Sequence, residues 1–254
     1  MIKFIKYEAS GNDFIIIENL SNYKNEELID LARKMCDRHY GIGADGLLLL
    51  YNTQHKNYLR IFNADGSEAS MCGNGLRCVA DYIIKEGYNE NNFSINTISG
   101  EKRVNISNNL ISIDIGKPHI VKTINDIFHS IHYTLVNIGN LHAIVEVSDV
   151  HSINIDEIVR KNFKSDQYNV VFVSLGAKKD QINIRVYERG VGETLACGSG
   201  SAAAFYYLRR QNKVGRIVNV HLEGGSIVLQ EGNNQEIILK GNANIVFKGE
   251  YIGE

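Results

Sequence analysis

The sequence predicts an α+β protein made of two similar halves. Three observations carry that prediction. Short apolar/polar alternations far outnumber helical patterns, a cysteine-glycine motif occurs twice, and a second motif echoes at nearly the same spacing. Alternation with period two and β-branched enrichment marks strands, because successive side chains of a strand point to opposite faces.

Along the chain, alternating runs at 2–7 and 14–18 open the sequence as strands. Residues 25–39 then place Leu28, Ile29, Leu31, Ala32 and Met35 at helical spacing. Arg38 and His39 fall at the end of that predicted helix, where positive side chains suit the dipole. Asp13 and Asp65 read as turn or capping residues. A second helix is predicted over 76–86 and stopped by Gly87. Strands follow at 93–97, 110–115, 170–174 and 182–187. A third helix covers 201–211, and strands at 218–222, 227–230 and 236–240 close the series.

The repeat is explicit. Glu68-Ala-Ser-Met-Cys72-Gly-Asn-Gly75 returns as Glu193-Thr-Leu-Ala-Cys197-Gly-Ser-Gly200, 125 residues later, and both copies run into a helix. Gly11-Asn12, followed after three residues by Ile16-Ile17-Glu18, returns as Gly139-Asn140 before Ile144-Val145-Glu146, 128 residues later. Two echoes at nearly one offset predict a duplicated domain. The join falls near Gly116-Lys117-Pro118, at the only proline of the chain, giving halves 1–117 and 118–244.

Composition sets bounds on function. The chain has 254 residues, 44% of them hydrophobic, and a net charge of −2. No long run of Lys or Arg offers a footprint for nucleic acid or an anionic membrane. No apolar stretch reaches the roughly 18 residues of a membrane span. The first residues lack a signal-peptide pattern, so a cytoplasmic protein is expected. There are four cysteines, Cys36, Cys72, Cys78 and Cys197. None has C-x-x-C or zinc spacing, and a reducing compartment makes structural disulfides unexpected. Cys36 and Cys78, inside helical patterns, read as small buried hydrophobes.

Cys72 and Cys197 read differently. Each stands at a strand-to-helix turn with glycine next and again two residues on. Glycine lets a ligand approach the backbone. The first turn of a helix presents unpaired N–H groups and the positive end of the dipole, an anion seat that also lowers a thiol's pKa. Duplicated halves facing each other would set two sulfurs on either side of one substrate carbon. One thiolate could then remove a proton while the other thiol returns one, inverting a stereocentre.

The residues also carry a family resemblance. Ser10-Gly-Asn-Asp-Phe14, Arg38-His-Tyr-Gly-Ile-Gly-Ala-Asp-Gly46, Phe62-Asn-Ala-Asp-Gly66, Met71-Cys-Gly-Asn-Gly75, Tyr187-Glu-Arg-Gly190 and Ala196-Cys-Gly-Ser-Gly200 come in order over nearly the whole chain. Together they resemble diaminopimelate epimerase. The resemblance implies two domains, each a strand-rich barrel-like sheet around a central helix, with the C-terminal strand, about 245–254, returning to the first. It implies a homodimer that needs no pyridoxal phosphate or other cofactor and no metal, and that interconverts L,L- and meso-diaminopimelate for lysine and the cell wall.

It also implies roles for single residues. Asn12, Asn63, Asn140 and Asn169 match substrate-binding asparagines, whose amides can serve both ends of a zwitterion. Gly73, Asn74, Gly198 and Ser199 match the seats of the reacting carboxylate. Arg189 suits the distal carboxylate by its fork of donors. Glu188 and His142 stand beside the reacting centre, to hold the α-ammonium or tune a thiol. Two positions depart from the family pattern. Gly46 stands where many members have Gln, and Leu141 precedes His142 where Pro is usual. The segment 161–166 looks trimmed.

The alternative keeps the fold and changes the substrate to proline or hydroxyproline. Those racemases usually carry His after the first Cys-Gly, where this chain has Asn74. Phenazine-type isomerases share the scaffold without the cysteine pair. A redox protein cycling a Cys72–Cys197 disulfide is the reading from another class.

Overall fold

The computed structural model describes residues 1–53, 56–87, 91–108, 110–126, 131–163 and 167–253. The chain separates into two compact units, Met1–Ile113 with Gly241–Glu254, and Asp114–Lys240. The sequence placed the join at 116–118 and the C-terminal return at about 245. Residues 164–166, in the segment read as trimmed, lie outside the described residues.

The first unit runs β1 (Ile2–Ala9), β2 (Asn12–Glu18), α1 (Asn25–Cys36), β3 (Gly46–Thr53), β4 (Lys56–Asn63), β5 (Glu68–Ala69), α2 (Gly73–Lys85), β6 (Asn92–Thr97), β7 (Gly100–Ser107) and β8 (Leu110–Asp114). The second runs β9 (His119–Asp126), β10 (Ile131–Asn137), β11 (Leu141–Glu146), α3 (Ile155–Asn162), β12 (Asn169–Leu175), β13 (Gln181–Glu188), β14 (Gly192–Thr194), α4 (Gly198–Arg210), β15 (Ile217–Leu222), β16 (Gly225–Glu231) and β17 (Ile237–Gly241). The last strand, β18 (Asn244–Tyr251), belongs to the first unit.

Both units are wired alike. In the first, β18, β1 and β2 pair antiparallel in turn, β2 pairs parallel with β3, β3 antiparallel with β4, and β4 parallel with β6. Strands β6, β7 and β8 finish it as an antiparallel meander. The second repeats that scheme through β9, β10, β11, β12, β13, β15, β16 and β17. Each parallel pair is joined through a helix, as parallel neighbours require a crossover. Strand β18 does for β1 what β9 does for β10. The first unit is therefore completed only by the end of the chain.

Burial sorts the helices. On α1 only one face is buried, and Leu28, Leu31, Ala32 and Met35 pack with Ile15, Leu47, Leu49 and Phe62. Helix α2 is buried almost all round, from Gly73 to Ala80 and again at Tyr82 and Ile83. Helix α4 is likewise buried from Gly200 to Phe205. A helix apolar all round belongs in a core, so α2 and α4 are central and α1 and α3 outer. With helices on both of its faces, β3 is buried throughout Leu47–Leu50, which is why it does not alternate.

Three sequence expectations need correction. Helix α1 stops at Cys36, not at 39. The Asp37 carboxylate accepts from the His39 and Tyr40 N–H groups at 2.7 Å each and turns the chain there. Arg38 is no helix-end cation: it reaches Asp13 and Asp45, each at 2.7 Å. Asp13 is not a turn residue. It sits on β2 and also holds the buried Lys6 at 2.6 Å, and these cations keep its carboxyl well below the usual range against the cost of burial. Asp65 does act in a turn, accepting from the Ser67 N–H at 2.8 Å.

Candidate active site

Each half places its cysteine by the same construction. A short strand, β5 or β14, pairs with the end of β4 or β13 in one register: Phe62 faces Glu68 and Ile61 faces Ala69, as Tyr187 faces Glu193 and Val186 faces Thr194. The glutamate that opens each motif locks this strand with a bidentate arginine pair. Arg60 holds Glu68 at 2.7 and 2.8 Å, and Arg185 holds Glu193 at 2.6 and 2.8 Å. The sequence reading missed these pairs. Their signal is an arginine eight residues before the glutamate in both copies.

The chain then enters α2 or α4 with the cysteine as N-cap, in extended conformation at φ −142° and ψ 115° for Cys72 and φ −134° and ψ 108° for Cys197. Cys72 Sγ accepts from the Gly75 N–H at 3.4 Å. Cys197 Sγ lies 3.6 Å from Ser199 Oγ. The second glycine of each motif permits close packing. A Cβ on Gly75 would lie 3.1 Å from Leu48, and one on Gly200 3.1 Å from Val171 and 3.4 Å from Cys197 Sγ. Gly73 and Gly198 open the two helices, followed by Asn74 and Ser199.

The surroundings of the two sulfurs differ. Beside Cys197 stands Glu188, at the end of β13, whose carboxylate accepts from Thr194 Oγ1 at 2.6 Å. Burial first, and then the negative charge of Glu188, push the Cys197 thiol well above its ordinary value, opposed by the Ser199 hydroxyl and the Gly200 N–H. This corrects the expectation of a lowered pKa. Desolvation and a facing carboxylate outweigh the helix terminus, so Cys197 rests as a thiol. Burial also pushes Cys36 up to about 12 and Cys78 well up, in keeping with a structural part for both.

In the first half, the helix that Cys72 caps carries Arg77, five residues on and completely buried, whose charge interacts with that of Cys72. Its guanidinium donates to Asn74 Oδ1 at 2.7 Å, to Ser10 Oγ at 3.2 Å and to the Asn242 carbonyl at 3.0 Å. Asn74, only 2% exposed, is thereby fixed.

The remaining predicted residues fall at strand ends within each unit. Asn12 begins β2 after a two-residue turn in which Ser10 and Gly11 both have positive φ, 55° and 78°, the geometry a tight hairpin demands. Its Oδ1 is buried with no hydrogen-bond partner among the described residues. Asn63 ends β4 and donates to Ser67 Oγ at 2.9 Å. In the second unit His142 pairs with Asn169, and the register of β12 on β13 sets Asn169 abreast of Glu188. Asn169 Oδ1 accepts from the Arg189 N–H at 2.9 Å, and the Arg189 side chain is exposed. Asn140 Oδ1 lies 3.0 Å from His142 Nε2. His142 has no exposed surface, and burial lowers its pKa to about 4, so its imidazole is neutral near pH 7 and donates to Asn140. Gly46 faces Asn63 across β3 and β4. A Cβ there would sit 2.7 Å from the Phe62 carbonyl oxygen and 3.3 Å from the Phe14 ring, so the backbone leaves no room for a side chain at this position.

Comparison with known proteins follows the same lines. A family profile described as diaminopimelate epimerase matches residues 4–121 and 134–246. The diaminopimelate epimerase of Carboxydothermus hydrogenoformans is 34% identical over 98% of this chain and 99% of its own. That of Rippkaea orientalis is 36% identical over 98% and 99%. Among solved structures, a phenazine biosynthesis PhzF-family protein from Enterococcus faecalis superposes with a TM-score of 0.77 at 15% identity, over 99% of this chain and 100% of its own. A hydroxyproline epimerase from Agrobacterium vitis gives 0.70 at 12% identity, over 98% and 90%. Likenesses at such low identity concern the fold alone.

Proposed function

The chain belongs to the diaminopimelate epimerase family, and from that membership we infer that Cys72 and Cys197 are the acid and base with which it interconverts L,L- and meso-diaminopimelate. The observation that carries the assignment is the repeated N-cap cysteine, built twice by one construction but flanked by unlike charges.

The thiolate of one cysteine takes the α-proton, breaking C–H and forming S–H. The thiol of the other delivers its proton to the opposite face of the carbanion. No proton is gained or lost overall, and the reverse reaction exchanges the roles. The pair then relaxes by proton exchange. Backbone N–H groups at Gly73-Asn74 and Gly198-Ser199 hold the carboxylate of the reacting centre, where they also stabilise charge spreading from the carbanion. The unpaired Asn12 Oδ1 suits an ammonium donor, and the exposed Arg189 suits the distal carboxylate. Asn63, Asn140 and Asn169 complete the substrate contacts. Glu188 keeps the Cys197 proton in place, while His142, neutral and buried, orients Asn140.

On this reading the thiols carry the proton transfers without pyridoxal phosphate or metal. The protein works as a cytoplasmic homodimer. Its four cysteines are free, as a reducing compartment would keep them, and β18 leaves Val246 and Phe247 exposed as an apolar patch at a bulge of the strand. Light scattering measures the dimer, and cell fractionation the compartment.

The deciding experiment is incubation of L,L-diaminopimelate in heavy water without added pyridoxal phosphate. Meso product carrying deuterium at one α-carbon is expected. Cys72→Ala and Cys197→Ala should each abolish its formation. Near-normal turnover by either variant would falsify the two-thiol scheme, and exchange with proline instead would change the substrate.

A further inference from the structure

We propose that Arg77 is the positioning residue that makes Cys72 the resting thiolate of the pair, by bracing Asn74 in the first turn of α2 and placing a buried positive charge on the helix that Cys72 caps. The proposal rests on the two-thiol reading and goes beyond it by saying which sulfur starts ionised, and why.

Burying a guanidinium is costly unless its donors are satisfied and its charge is used. All three partners bonded to Arg77 are neutral: an amide oxygen, a hydroxyl and a backbone carbonyl. Its Nε has no acceptor among the described residues. The fold does not need an arginine to start such a helix. The matching position of the second half, five residues after Cys197, is Ala202, which is also fully buried. The reverse asymmetry holds for the acid: nine residues before Cys197 stands Glu188, and nine before Cys72 stands Asn63. One sulfur therefore has a cation in its half and the other a carboxylate.

The charged and titratable groups around Arg77 are few. Cys78 and Cys72 on its own helix side and Glu8 on β1 interact with its charge. Burial keeps Cys78 a thiol. Glu8 is already engaged, accepting from the Gly11 N–H at 3.1 Å and from Asn244 Nδ2 at 2.6 Å. Asp81, one turn further along α2, is held by Lys85 at 2.6 Å and accepts from the Tyr7 hydroxyl at 3.0 Å. Arginine stays protonated throughout the working range, so Cys72 is left as the anion its charge serves.

The test is the pH dependence of iodoacetamide alkylation, read separately at Cys72 and Cys197 by peptide mass, since only thiolates react. It needs no amino-acid substrate, so it is independent of the heavy-water experiment. In the unmodified protein the Cys72 curve should have its midpoint at lower pH than the Cys197 curve. Arg77→Met should move the Cys72 midpoint up and slow its alkylation at pH 7 by about tenfold or more, the usual effect of losing an opposite charge. Arg77→Lys should keep the low midpoint, because the charge remains, but raise KM more than it lowers kcat, because the fork that fixes Asn74 is lost. An unmoved midpoint in folded Arg77→Met overturns the proposal. If Arg77→Met does not fold, Arg77→Gln, which keeps an amide donor for Asn74 but carries no charge, is read in its place, and an unmoved Cys72 midpoint there overturns the proposal equally.

Discussion

Glu188 lies against the Cys197 sulfur and is itself held by Thr194 at 2.6 Å. Glu188→Gln preserves an acceptor for that hydroxyl and removes only the charge. Turnover should fall by about 10²-fold, the low end for a lost acid/base contribution, with KM changed far less. The Cys197 alkylation midpoint should move to lower pH at the same time. Unchanged turnover in a steady-state assay would remove Glu188 from the mechanism. The sequence made Glu188 legible through its family motif, but not its effect. A cysteine at a helix start reads as activated, and only burial shows that desolvation reverses the sign at Cys197. His142 shows the same gap: beside a reacting centre it reads as a group that holds the α-ammonium or tunes a thiol, whereas its complete burial leaves a neutral ring that bonds Asn140.

At the scale of elements the reading was uneven: strands β2 and β12 were read from their β-branched runs although they are buried along their length, and the outer helix α3 was missed although it buries only Ile155 and Val159. Strands such as β13 alternate, and its burial pattern alternates with them. Strand β3 was not legible as a strand, because it is covered on both faces and its leucines run unbroken. The two central helices were expected to start at 76 and 201 but start at Gly73 and Gly198. Glycine-rich first turns carry loop composition and become helical because the sheet packs on them, with Cys72 Sγ also accepting from the Gly75 N–H in the first. Gly46 belongs to this scale, since its value lies in the closeness of β3 to β4 and β2. Gly46→Gln should lower stability by about 1–3 kcal/mol, the usual cost of overpacking. Thermal melting checks this, and a variant as stable as the parent would show that the strands part freely at this point.

Over the whole molecule, the duplication predicts wiring that no single element reveals. Each unit needs a strand beside its first hairpin. The second unit takes β9 from just upstream of β10, and the first unit takes β18 from the far end of the chain. That strand brings an apolar face with it, Val246 at 53% exposed and Phe247 at 45%. A homodimer buried on this face should weigh about twice 28.5 kDa by light scattering, and Val246→Asp with Phe247→Asp should reduce it to one chain. A monomeric parent protein would refute the dimer. By itself, the sequence determined the twin cysteine motifs, the internal repeat and the family resemblance, because motif and periodicity are local and survive as pattern. Only the tertiary structure decided which charges face which sulfur. Arg77 finds its partners 67 and 165 residues away in the chain, and Glu188 acts through a burial that chain order does not encode. Ionisation depends on desolvation and on charge through space, so the difference between Cys72 and Cys197 exists only once the chain is folded.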